Sequence, residues 1–152
     1  MTVGTVVPPN RPSHRGEMSP LALAVDDNHD NLLVLEYTLS SLGFRFIGTV
    51  DAIAGLALVK QHHPDLILLD IMLPGIDGFE LAAMIRSDPS LRYVPVIAVT
   101  GLASDEDRDR ILRSGFTDYI RKPFMLDDLE AIIHRHIQVP TWPDGGEWLP
   151  EG

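Results

Sequence analysis

Five short apolar runs, each followed by a segment of helical spacing, constrain this chain more than any other feature, because strict alternation of the two periods admits few architectures. The first run, Leu21 to Val25, stops at Asp26-Asp27. Leu32, Leu33, Leu35 and Leu39 then recur at helical spacing until Gly43. Phe44 to Val50 reads as a second strand, and Asp51 as the cap of a helix that runs through Lys60 and ends by Pro64. Leu66 to Leu69 is the most apolar strand and meets Asp70. Turn residues from Leu73 to Gly78 lead into a helix over Phe79 to Arg86. Pro95 to Val99 is a fourth strand ending at Thr100. Ser104 caps an acidic helix, Asp105 to Arg113, with Asp107 in the capping-box position and Gly115 as the stop. Phe116 to Ile120 is a fifth strand, followed by Lys122-Pro123, and Leu126 to Ile137 is a last helix capped by Asp127 or a neighbour. The pattern predicts an α/β domain with a parallel sheet covered on both faces.

That domain occupies residues 19–138. Residues 1–18, with three prolines and no sustained period, read as a flexible N-terminal tail. Residues 139–152 read as a C-terminal tail that holds Trp142 and Trp148, which either pack back on the domain or serve a partner. No basic start followed by an apolar run marks a signal peptide, and no stretch is long enough to span a bilayer, so a cytoplasmic location is expected. The absence of cysteine excludes thiol nucleophiles and Cys-ligated zinc or iron–sulfur sites. A formal charge of −10 argues against direct nucleic-acid or membrane binding, where lysine and arginine supply the attraction. None of the six histidines stands at a metal-binding spacing.

Ligand sites in parallel sheets gather beyond the carboxyl ends of the strands. Those ends carry Asp26, Asp27, Asp70, Thr100 and Lys122. Adjacent acids after a strand can simply cap a helix, and a lysine before proline can simply be loop. Together, though, the acids repel unless a cation joins them, and hard oxygen donors suit Mg²⁺. A carboxylate can also attack phosphorus and become an acyl phosphate, which an ammonium would neutralise and a hydroxyl would hydrogen-bond.

At this point the sequence resembles the receiver domain of two-component response regulators. The likeness runs from Leu21 to Ile137 and rests on four blocks in order: Ala24-Val25-Asp26-Asp27-Asn28, Asp65 through Gly78, Val96 through Gly101, and Tyr119 through Phe124. It implies a flavodoxin-like doubly wound fold, with five parallel strands in the order 2-1-3-4-5 and five helices. It implies that Asp70 is the phosphoacceptor. Asp26 and Asp27 would organise Mg²⁺, for which Mn²⁺ may substitute, with Asp70 and the backbone carbonyl of Met72 completing the protein ligands. Thr100 and Tyr119 would be the switch pair, Lys122 the phosphoryl-neutralising amine and Pro123 the proline, often cis in the family, that follows it. Gly101 would leave the approach open, and Met72 and Leu102 would flank the phosphoryl group. Both flanking side chains are apolar and neither can position a water, so slow self-dephosphorylation is expected.

The resemblance also supplies partners. The phosphoryl group would come from a sensor histidine kinase or a histidine phosphotransfer protein. With no room for an output domain after residue 138, the expected role is a single-domain response regulator, a binding switch rather than an enzyme acting on a separate substrate. A phosphorelay intermediate and a fragment of a hybrid histidine kinase remain alternatives; the segment Ser87 to Tyr93 is like those of cell-cycle and hybrid-kinase receivers. An aspartyl-nucleophile phosphatase fits less well, because Asp26-Asp27-Asn28 lacks the Asp-x-Asp form. Receivers often dimerise through the face of the fourth helix, fifth strand and fifth helix, so the resemblance also allows a homodimer through that face. The charged run Asp105 to Arg113 on that fourth helix reads first as a solvated surface.

Overall fold

The computed structural model describes residues 5–6, 19–101 and 104–137. Five parallel strands form the centre: β2 (Leu21–Val25), β3 (Arg45–Thr49), β4 (Leu66–Asp70), β5 (Val96–Thr100) and β6 (Asp118–Arg121). Their spatial order is β3-β2-β4-β5-β6, which is the expected 2-1-3-4-5. The alternation did not foretell a sixth strand: Thr5–Val6, β1, pairs antiparallel with β3, Thr5 opposite Ile47 and Val6 opposite Phe46. It lies in the stretch read as a tail, where two residues are too few to show a period. The rest of that stretch, the C-terminal segment with Trp142 and Trp148, and Leu102 lie outside the described residues.

Five helices connect the strands: α1 (His29–Ser41), α2 (Ala52–His62), α3 (Gly78–Arg86), α4 (Asp105–Arg113) and α5 (Leu126–His136). The period-two alternation of each strand divides the core. Ala22, Ala24, Leu66, Leu68, Ile97, Val99 and Ile120 face α1 and α5. Leu23, Val25, Ile67, Leu69, Val96 and Ala98 face α2, α3 and α4. A strand buried on both faces shows no polar alternation, which is why these runs are continuously apolar.

The caps largely follow the sequence. Asp51 accepts from the Ala54 N–H at 2.7 Å. Ser104 and Asp107 exchange both bonds of a capping box, at 3.0 and 3.1 Å. At α5 the acceptor is Asp128, not Asp127: the Met125 N–H donates to Asp128 Oδ2 at 3.0 Å, because only the third helical position can reach back to the residue before the first. The segment before β5 is organised by a 3₁₀ turn, Pro89–Leu91, capped by Asp88. Arg86 holds that turn against the amino end of the sheet. Its Nε donates to the Gly115 carbonyl at 2.8 Å. Its Nη1 donates to the carbonyls of Leu91, Arg92 and Val94, and its Nη2 to Thr117 Oγ1.

Candidate functional site

Register builds the site. Val25 stands opposite Leu69, so the next residues, Asp26 and Asp70, emerge side by side where β2 and β4 end. Both have the parity of the residues facing α1 and α5, as does Lys122 two residues after Ile120. The three side chains therefore converge on one face. Lys122 Nζ lies 3.2 Å from Asp26 Oδ2 and 3.2 Å from Asp70 Oδ2. The peptide bond from Lys122 to Pro123 is cis.

Each carboxylate is also held from its other side. Asp26 Oδ1 accepts from the Asn28 N–H at 2.9 Å, and the Asn31 amide donates to both of its oxygens. Asp70 Oδ1 accepts from the Met72 N–H at 3.0 Å. Asp26 and Asp70 are buried, whereas Asp27 is exposed at the rim. Ligand oxygens of Asp26, Asp27 and Asp70 lie within 4.8 Å of one another.

The electrostatics of the cluster suit a cation. Burial, first of all, lifts the Asp26 carboxyl above its ordinary range, against the pull of the Asn28 N–H and of Lys122, and the Asp70 carboxylate adds to the lift. Burial alone would lower the Lys122 ammonium, but Asp26 and Asp70 outweigh it and hold Lys122 above the usual lysine value. One lysine thus leaves a surplus of negative charge. Hard oxygen donors with surplus charge, one of them open to solvent, fit a divalent cation such as Mg²⁺.

Thr100 and Tyr119 belong to the other face. Thr100 is fully buried at the end of β5 and shares the parity of Val96 and Ala98. Tyr119 stands opposite Ala98 and packs, half-buried, against the same cluster. Arg108 of α4 is held above the ordinary arginine value first by a hydrogen bond with Tyr119 and then by one with Asp105. The two faces are joined through the backbone, where the Lys122 N–H donates to the Thr100 carbonyl at 2.7 Å. Gly101 is exposed, and a side chain there would meet open space. Met72 is 65% exposed at the mouth.

Two residues of the site escaped the reading of the sequence. Asn31 had a signal, a polar residue on the first turn after Asp26. Gly78 was read as turn chemistry, yet its role is contact: a Cβ there would lie 2.6 Å from the Asp70 carbonyl oxygen and from Ile71 Cα. Its own N–H donates to the Ile71 carbonyl at 2.9 Å, so the start of α3 lies directly on the Asp70 backbone.

The chain is similar to known proteins. Residues 22–134 match the model of the response regulator receiver domain family. The chain is 39% identical over 106 residues to the polar-differentiation response regulator DivK of Brucella ovis, covering 70% of this chain and 86% of that protein. It is 38% identical over 112 residues to the response regulator PleD of Caulobacter vibrioides, covering 74% of this chain but 24% of that one. Among solved structures, the receiver domain of the sensor histidine kinase PA1611 from Pseudomonas aeruginosa, with a magnesium ion in its active-site cleft, aligns at TM-score 0.72 and 37% identity, covering 78% of this chain and 98% of that one. The chemotaxis protein CheY4 of Vibrio cholerae aligns at TM-score 0.75 and 25% identity, covering 78% and 99%.

Proposed function

The chain belongs to the response regulator receiver domain family, and from that premise we propose that it accepts a phosphoryl group on Asp70 from a histidine of a sensor kinase or phosphotransfer protein, with Mg²⁺, and thereby switches its binding to another protein. The observation that carries this reading is the single ammonium of Lys122 set 3.2 Å from both buried carboxylates, beside a third at the rim.

In this reading a carboxylate oxygen of Asp70 forms the new P–O bond as the P–N bond to the donor imidazole breaks and the imidazole keeps the electron pair. The Met72 N–H orients the Asp70 carboxylate, and Gly78 fixes the backbone beneath it. Lys122, already between Asp26 and Asp70, pairs with the incoming phosphoryl oxygens. Asp26, Asp27, Asp70 and the Met72 carbonyl would hold Mg²⁺, which when bound neutralises phosphoryl charge. Thr100 and Tyr119 transmit the change across the sheet, Thr100 through its hydroxyl and Tyr119 through its contact with α4. The apolar Met72 at the mouth shields the phosphorus and slows hydrolysis.

A test is incubation with a phosphorylated histidine phosphotransfer domain and Mg²⁺, followed by ³¹P NMR. The reading expects an acyl phosphate resonance that is absent in Asp70→Asn. Transfer to the wild type without any change in partner capture would favour a phosphorelay intermediate or a hybrid-kinase receiver, a second reading favoured by the likeness to the PA1611 receiver. No acyl phosphate on a folded, Mg²⁺-binding chain overturns both.

A further inference from the structure

The chain has no cysteine, so the sulfurs it offers to an oxidant are those of its five methionines. Three lie among the described residues: Met72 is 65% exposed, Met125 72% and Met84 40%. Of these, Met72 stands two residues after Asp70, and its N–H donates to Asp70 Oδ1 at 3.0 Å. Ile71 and Leu73 on either side are buried in the core. The backbone that presents Met72 is therefore pinned, while its thioether stands out in solvent. The side chain borders a groove of about 650 Å³ between the β4–α3 loop and α4, which leaves room for a small oxidant and for water. At the end of β5, Gly101 brings no side chain to the mouth. Asp27 lines the same groove, but in the proposed function it is a ligand of the cation. How well the mouth holds a water thus depends on the side chain at position 72.

We propose that Met72 is a modification site: a hydroperoxide converts its thioether to the sulfoxide, and the sulfoxide shortens the life of a phosphoryl group on Asp70. The inference rests on the function proposed above. In the oxidation the sulfur lone pair attacks the terminal oxygen of the hydroperoxide. The S–O bond forms as the O–O bond breaks, and the proton of the transferred oxygen passes to the leaving one, which departs as water or an alcohol. The sulfur loses two electrons and the hydroperoxide gains them. A thioether sulfur is a weak hydrogen-bond acceptor, whereas a sulfoxide oxygen is polar and accepts strongly. It can take a hydrogen bond from a water beside the phosphorus and hold that water for attack, where the thioether only excludes it. The change is confined to the end of a long, flexible side chain. The Met72 N–H on Asp70 is left in place, so phosphoryl uptake persists while its loss quickens.

The experiment uses the full-length chain with Met84→Leu and Met125→Leu, and the same chain with Met72→Leu added; both keep Met1 and Met18. Each is treated with hydrogen peroxide, freed of it, loaded with acetyl phosphate and Mg²⁺, freed of donor, and followed by intact mass. Peptide mass mapping locates the oxidised positions. The expected result is a sulfoxide at position 72 and a phosphoryl half-life shortened about threefold or more relative to the untreated chain. The two methionine sulfoxide reductases, one for each epimer, should restore it. With Met72→Leu the half-life should be the same before and after peroxide. Met72→Gln, whose amide oxygen stands in for the sulfoxide oxygen, should shorten the half-life without peroxide. An unchanged or lengthened half-life on the Met72 sulfoxide, equal shortening with Met72→Leu, or no sulfoxide at position 72 would overturn the proposal and leave the proposed function standing. No phosphoryl uptake by the untreated chain would overturn both.

Discussion

At each end of the sheet a basic side chain draws several acceptors around it, and the partners differ. At the carboxyl end Lys122 stands between two carboxylates. At the amino end Arg86 is surrounded by neutral groups, four carbonyls and the hydroxyl of Thr117. An ammonium among carboxylates leaves charge unbalanced and invites an ion or a phosphoryl group. A guanidinium among carbonyls is satisfied as it stands, since its planar fork matches acceptors arranged around it. Burial pulls Arg86 below the ordinary arginine value, while the carboxylates lift Lys122 above the ordinary lysine one. In the proposed function the first cluster reacts and the second holds.

Breaking the holding cluster should have the largest effect. Arg86→Ala strands several carbonyls and releases the turn before β5, and should lower stability by on the order of 3 kcal/mol, read as a lower urea midpoint with unchanged slope. Arg86→Lys should recover little, because one ammonium cannot span those acceptors. At the reacting cluster, Lys122→Ala should slow phosphoryl uptake by about 100-fold while costing stability no more than ~1–2 kcal/mol, checked by a stopped time course beside a melt. Equal losses of stability in the two variants would erase the contrast.

Gly78→Ala sharpens it from a third direction. The added methyl meets backbone, not a side chain that can swing away, so stability should fall by about 2 kcal/mol and phosphoryl uptake should fall with it. Asp118 offers the smallest effect. Burial raises its carboxyl, but His136, the Tyr119 N–H and Arg135 together hold it below the usual carboxylate range. Its folded value is depressed, so its contribution is full above about pH 4 to 5 and fades as pH falls through the lowered value. Asp118→Asn should therefore cost less than ~1 kcal/mol at neutral pH, with the gap to wild type closing in acid, as a pair of pH-dependent melts would show.

The two clusters were not equally legible. Asp26 and Asp70 announce themselves because each closes an apolar run, Lys122 because it comes just after the fifth strand, and topology sends strand ends to one edge. Arg86 gives no such sign. Its acceptors belong to residues 91 to 117, and their arrangement exists only once α3, the 3₁₀ turn and β6 have packed. Gly78 misled for a related reason: glycine at a turn is ordinary, and the approach of α3 to the Asp70 backbone is a tertiary fact. The division of Thr100 and Tyr119 from Asp70 and Lys122 was latent in strand parity, but parity acquires faces only when the helices covering each one are known. The two-residue β1 was too short for any periodicity to register.

The central claim is that the carboxyl end carries the chemistry and the amino end does not. Intact mass over time, with acetyl phosphate and Mg²⁺, tests it most directly on wild type, Asp70→Asn and, at a temperature where it stays folded, Arg86→Ala. The account predicts one added phosphoryl group on wild type and on Arg86→Ala, and none on Asp70→Asn or without Mg²⁺. Addition to Asp70→Asn, or its loss in folded Arg86→Ala, would contradict it.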